Sequence, residues 1–217
     1  MKGEIDKRFR ASRIGLTMIV LATTLAVSAA GSLAASRPGI NLLPTPEEIP
    51  ASTVAIVSHV PFRLRTISTA DLSRAMRQYA AVELDLKSAP KPGQARYKAV
   101  EEAALGEQFD RIWIQGQVAE MKITATKREV HTELARIKRE NFKSLKQYYA
   151  YLRHSHYTRR DVLGRVKIQI LAMKIEERFP PGKFSKFVDT YMRRWTSRTV
   201  CAPRYAIKRC SNSAATG

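Results

Sequence analysis

The stretch from Glu107 to Phe179, EQFDRIWIQGQVAEMKITATKREVHTELARIKRENFKSLKQYYAYLRHSHYTRRDVLGRVKIQILAMKIEERF, decides the fold. It holds three helical patterns in series after the Trp113 run, joined by short polar turns. Thr126-x-x-Glu129 has the spacing of a capping box, in which each side chain satisfies a backbone N–H near the other residue. Val130, Leu134 and Ile137 then fall on one helical face. Ser144-x-x-Gln147 opens a short helix carrying Leu145, Tyr148, Tyr149 and Leu152. Thr158-x-x-Asp161 opens a long one expected to bury Val162, Leu163, Val166, Ile170 and Met173.

Upstream, a long helix is predicted from about Ala95 to Met121, with Val100, Ala104, Leu105, Phe109, Ile112 and Trp113 at helical intervals. Gly116 interrupts it. Glycine in a helix interior costs about 1 kcal/mol relative to alanine, and close approach of a neighbouring helix is one reason to keep it. Ser68-x-x-Asp71 starts another helix that runs to about Leu86, with Leu72, Met76, Tyr79 and Ala80 on its apolar side. Val54-Ala55-Ile56-Val57 reads as a strand. Downstream, Pro180-Pro181-Gly182 breaks the chain. A last helix follows from about Phe184 to Thr196, turning Phe187, Val188, Tyr191 and Trp195 to one side. The residues alone therefore give a mainly α fold class with one strand. Residues 1–36 form an export segment, 37–52 a proline-rich linker, 53–212 one helical domain and 213–217 a tail.

The 217 residues carry 38 Lys and Arg against 19 Asp and Glu, a formal net charge of +19. Such an excess points to nucleic acid, an anionic membrane surface or acidic clients. The cations are spread along every helix instead of gathering in one stripe, and the aromatic residues sit mostly at core-like spacings. No nucleic-acid partner is expected.

Residues 1–13 are basic, Ile14 to Ser36 carry no charge, and Ala29 to Ala35 are mostly small. This order is that of an export signal, and the run is long enough to span a bilayer as a retained anchor. Either way the remainder is placed outside the cytoplasm, with no assignment between the two. Cys201 and Cys210 are expected to pair in that compartment as a structural disulfide. Two thiols without a nearby histidine make at most half a zinc site, and no Cys-x-x-Cys motif indicates a redox centre.

Catalytic constellations are sparse. His154-x-His156 is the one close pair among His59, His131, His154 and His156, and it reads as a solvated turn. Glycine spacing gives no phosphate loop or dinucleotide fingerprint, and no nucleophile elbow accompanies the serines. Glu101-Glu102 and Glu176-Glu177 read as solvated helix faces. No catalytic residue, metal site or cofactor is expected.

Trp113-Ile114-Gln115-Gly116-Gln117-Val118-Ala119-Glu120, the turn from Ile123 to Val130, and the tail Phe187-Val188, Tyr191, Arg194-Trp195, Thr199, Cys201-Ala202, Tyr205 and Cys210-Ser211-Asn212 together resemble the SurA N-terminal-domain and PrsA-like family of extracytoplasmic foldases. The resemblance spans roughly residues 53–212. It implies a helical module that holds unfolded polypeptide clients, and a pairing of chain ends in which a Val54–Val57 strand lies beside an Ala206–Lys208 strand. Three departures stand out. Ser58-His59-Val60-Pro61 replaces the family's turn after the first strand. No cysteine follows the apolar run for a lipid anchor. Only Pro180-Pro181-Gly182-Lys183 separates Phe179 from Phe184, where isomerase members insert a parvulin domain, so prolyl isomerase activity is a family label that this chain is not expected to carry.

The resemblance makes an ATP-independent chaperone the expected function, with a dedicated assembly factor for one secreted partner as the alternative. Phe109, Trp113, Tyr148, Tyr149, Tyr151 and Tyr157 are the candidate client-binding residues; the other reading of the same rings is ordinary core.

Overall fold

The computed structural model describes residues 43–59 and 63–213. The export segment 1–36, the start of the linker, Val60-Pro61-Phe62 and the last four residues of the tail lie outside the described residues. Among the described residues the fold is mainly α, with six helices and one small antiparallel sheet.

The sheet has three strands, β1 (Thr53–His59), β2 (Arg63–Ser68) and β3 (Thr199–Cys201), in the order β2-β1-β3. β1 pairs with both neighbours antiparallel, Ala55 facing Ile67 on one side and Cys201 on the other. Successive side chains point to opposite faces. Ala55, Val57, Ile67 and Cys201 therefore enter the main core, whereas Ile56 and Val200 meet Ile49 on the outer face. This arrangement corrects two expectations. The late strand is Thr199–Cys201, and Ala206–Lys208 is irregular. The β-branched Thr199-Val200 leaves the last helix already aligned with Ile56 and Val57, whereas Pro203–Tyr205 forms a 3-10 turn that takes Ala206–Lys208 off the sheet. The second correction is β2, an additional strand beyond the expected pair. The proline-rich segment also reaches the sheet: Thr45 and Glu48 cap a 3-10 turn, and Ile49 is buried.

The helices are α1 (Thr69–Glu83), α2 (Tyr97–Glu120), α3 (Lys127–Asn141), α4 (Leu145–His154), α5 (Arg159–Glu176) and α6 (Phe184–Ser197). Ser68, Thr126 and Thr158 each form the anticipated capping box with Asp71, Glu129 and Asp161. The fourth is half a box. Ser144 Oγ accepts from Gln147 N–H, but the longer Gln147 side chain reaches one residue further and accepts from Lys143 N–H at 2.7 Å.

α2 is the axis of the domain. It packs on α1 and the sheet through Val100, Ala104, Leu105, Phe109 and Trp113, and its far end meets α5 through Ile114 and Val118. The segment Trp113–Glu120 is largely a docking edge for α6 and β3. Trp113 Nε1 donates to Thr199 Oγ1 at 3.0 Å. Gly116 faces the Trp195 ring so closely that a Cβ there would sit 1.9 Å from ring carbon Cη2. Gln117 Oε1 accepts from Trp195 Nε1 at 3.2 Å and from Arg194. Glu120 pairs with Arg194 and Arg198, each at 2.6 Å. The expected close approach at Gly116 and the packing of α6 back on the earlier helices are both present.

α5 buries two successive stripes. Val162 and Val166 join α3 and α4 in a second core, then Ile168, Leu171 and Ile175 turn toward α2. Met173, expected inside, is 51% exposed because it continues the Val162–Val166 face into the end of α5 where the opposite face, Ile168, Leu171 and Ile175, is the buried one. Glu129 binds α3 to α5: it caps Thr126 and receives a hydrogen bond from Lys174, which also donates to Thr124 O at 2.9 Å. The Lys174 ammonium, with the Thr126 N–H and hydroxyl, lowers the Glu129 carboxyl from 4.5 to about 2. A pKa depressed by folding adds stability that is full above the unfolded value and is lost as pH falls through the folded one. Glu129→Gln is therefore expected to destabilise near neutral pH, with the difference from wild type shrinking between about pH 4.5 and about 2. Denaturant unfolding across that range measures it, and a gap constant with pH would contradict the assignment.

Cys201 and Cys210 are joined, with Cα atoms 5.7 Å apart, and both are buried. Asn212 folds over the outer edge of β3, its side chain bonding both Cys201 N–H and C=O. Closing so short a loop contributes about 2–3 kcal/mol in the chain-entropy model. Reduction is expected to lower the unfolding midpoint accordingly, and a non-reduced digest should contain the two cysteine peptides linked; two free thiols in the non-reduced protein would refute the bond.

Candidate functional site

The six candidate aromatic residues divide between interior and surface. Phe109 and Trp113 are 0% exposed. Their rings stack 5.7 Å apart, Tyr191 meets Trp113 edge-on, and Arg209 covers the Trp113 ring. They are centre-of-core residues and line no open groove. α2 places them there because it is covered on several sides, by α1, the sheet, α6 and the Cys201–Cys210 hairpin. Tyr148 and Tyr157 are buried in the second core with Phe142, Leu152 and Val162, and Tyr151 is half-buried against Phe142 and Tyr157. Burial raises the Tyr148 phenol pKa, with Tyr149 adding to the effect.

Tyr149 is the one of the six that stands in solvent, 53% exposed, and Leu145, one turn earlier, is 62% exposed. The local reason is geometric. In a helix, residues four apart share a face. Tyr148 and Leu152 form the stripe that enters the core, and Leu145 and Tyr149 form the adjacent stripe, one residue round the helix, which the core does not cover. Leu145, Tyr148, Tyr149 and Leu152 stand together in the sequence pattern of this helix; their paired i, i+4 stripes were the available signal that α4 has more apolar width than its neighbours bury.

The surroundings of this stripe are basic. α4 contains no Asp or Glu. Lys146 and Arg153 are exposed on the side of the helix next to Leu145 and Tyr149, and Lys143 precedes it. Lys138 Nζ lies 4.5 Å from the centre of the Tyr148 ring, and the Arg159 charge also acts on that phenol. Tyr148 and Tyr149 rings are 5.5 Å apart, so these cations frame the same patch.

Acidic groups elsewhere are largely engaged inside the domain. Along α2, Glu101 binds the Tyr97 hydroxyl and Lys98, Glu107 binds Arg165, Asp110 binds Arg209, and Glu120 binds two arginines. Burial raises the Asp110 carboxyl pKa even with Arg209 beside it. Glu101, expected on a solvated face, is only 3% exposed, because the first turn of α2 folds Tyr97 and Lys98 over it. With half as many acids as bases, and those acids tied up, the excess cations remain on the surface.

An open recess of about 500 Å³ at the start of α2 is bordered by Arg96, Tyr97, Lys98 and Arg204; Glu101, one turn along α2, is already bonded to Tyr97 and Lys98. His154, the last residue of α4, has Nε2 3.1 Å from Asp85 Oδ1, and both it and His156 in the following turn are exposed. Among the described residues no group of three or more His, Cys, Asp or Glu side chains gathers as a metal site, and no helix is long and apolar enough to cross a membrane. Comparison of the chain with protein-family models, curated proteins and solved structures finds no match.

Proposed function

We propose that this chain is an extracytoplasmic, ATP-independent chaperone that binds unfolded or partly folded secreted polypeptides, with the outward stripe of α4 as its contact surface. The observation that carries the reading is the exposed Leu145–Tyr149 pair on a helix whose other half is firmly packed. Exposed apolar side chains held in place on a rigid element are suited to contacting apolar segments of another chain. Two sequence features support it: the resemblance of Trp113–Glu120, Ile123–Val130 and the tail to the SurA and PrsA-like foldases, and the basic-then-apolar segment before the linker. The short Pro180–Lys183 link between α5 and α6 supports binding without prolyl isomerisation.

The test is light scattering from an unrelated aggregating protein, without nucleotide. The chain is expected to suppress aggregation at near-stoichiometric ratio. Leu145→Ser with Tyr149→Ser should remove most of that protection while leaving the thermal midpoint nearly unchanged, since surface substitutions typically shift stability by about 0.5 kcal/mol or less. Protection that persists in the double variant moves the contact surface elsewhere. No protection at any salt concentration leaves a dedicated assembly factor as the better reading, and crosslinking in the native envelope would then trap one partner instead of many.

A further inference from the structure

The charge around the α4 stripe specifies what kind of segment it takes. We propose that the Leu145–Tyr149 face selects polypeptide segments in which apolar residues are flanked by Asp or Glu. The proposal rests on the chaperone reading above and names its client class. Leu145 and Tyr149 supply an apolar strip one helical turn long. Lys146 and Arg153 run alongside it at the solvent edge, exposed Lys143 precedes it in the chain, and Lys138 and Arg159 act on the Tyr148 ring beside Tyr149. A short apolar segment laid along the strip would bring its neighbouring residues against these cations. Acidic flanks would be attracted and basic flanks repelled, with no carboxylate on α4 to reverse the sign.

Two other occupants fit the face less well. A second copy of this chain would set Lys146 and Arg153 against their own equivalents, and each molecule carries +19 overall. A bilayer surface would gain insertion from only two exposed apolar side chains on a ten-residue helix, whereas an interfacial helix buries an apolar face several turns long.

The experiment uses the full chain and three synthetic peptides with one shared apolar core and acidic, neutral or basic flanks. Affinities are measured at low and high salt, with phosphatidylglycerol-containing vesicles as a separate arm. The acid-flanked peptide is expected to bind about tenfold more tightly than the neutral one at low salt, the gain from a few exposed charge pairs, and the basic one most weakly. High salt should compress this order because exposed charges are screened. Lys146→Glu with Arg153→Glu should invert it, and Leu145→Ser with Tyr149→Ser should weaken all three, with circular dichroism showing both variants folded. Equal affinities for the three peptides, with aggregation protection intact, overturn the acidic preference and leave the chaperone reading standing. No peptide binding and no protection overturn both. Vesicle binding that the Glu variants abolish, without peptide binding, assigns the face to lipid and overturns the proposal.

Discussion

Gly116→Ala is expected to destabilise the domain by about 2–4 kcal/mol, the upper part of the range for overpacking a well-filled core. The added methyl would lie 1.9 Å from Cη2 of Trp195 and within 3 Å of two further ring carbons. Trp195 is completely buried and cannot swing aside without losing its hydrogen bond to Gln117 and the packing of Tyr191. The helix-propensity gain from replacing glycine, about 1 kcal/mol, is outweighed by that collision. For a domain of this size the thermal midpoint should drop by roughly 5–15 °C. Gly116→Ala combined with Trp195→Leu tests the cause. If ring and methyl collide, the double variant is more stable than the sum of the single effects predicts, with a coupling of about 1–3 kcal/mol. Simple additivity would show that α6 does not dock on Gly116.

Trp113→Ala is expected to be at least as damaging, about 3–5 kcal/mol, the usual cost of truncating a buried tryptophan. It removes the ring that Phe109 stacks on and that Tyr191 and Arg209 contact, and it leaves Thr199 Oγ1 without the Trp113 donor. Trp113→Phe keeps much of the packing, and Thr199 still donates to Trp195 O; its cost should be about 1–2 kcal/mol. Denaturant unfolding measures both. Under the proposed chaperone function the pair also separates core from contact surface. A groove residue would lose aggregation protection on truncation with its midpoint intact; Trp113 is expected to show the reverse, with protection per folded molecule preserved in the phenylalanine variant.

The same contrast explains which parts of this protein could be read from its residues. Helix starts were legible because a cap is a local device: Ser68, Thr126 and Thr158 find their partners three residues away, whatever the rest of the chain does. The mainly α class follows from those caps and from apolar spacing along α2, α3 and α5. Gly116 could be singled out because a glycine at that helical position is costly without a near neighbour, although nothing local identified Trp195 as that neighbour. Apolar spacing marks a side chain as suited to burial, but it does not show how much of a helix its neighbours cover. Phe109 and Tyr149 therefore look alike in sequence, while the first lies at the centre of the domain and the second in water. β3 was decided by long-range pairing with β1, where three residues after α6 suffice once that helix is docked; β2 pairs with β1 locally, His59 facing Arg63, but its residues are mostly exposed and carry no apolar run to mark a strand. Glu101 and Glu102 are adjacent carboxylates, and only the fold of Tyr97 and Lys98 over Glu101 separates a buried acid from an exposed one. Patterns that close within one helical turn were set by the chain itself; burial, strand partners and the exposed face of α4 depend on which surfaces meet, and the tertiary structure alone decided those.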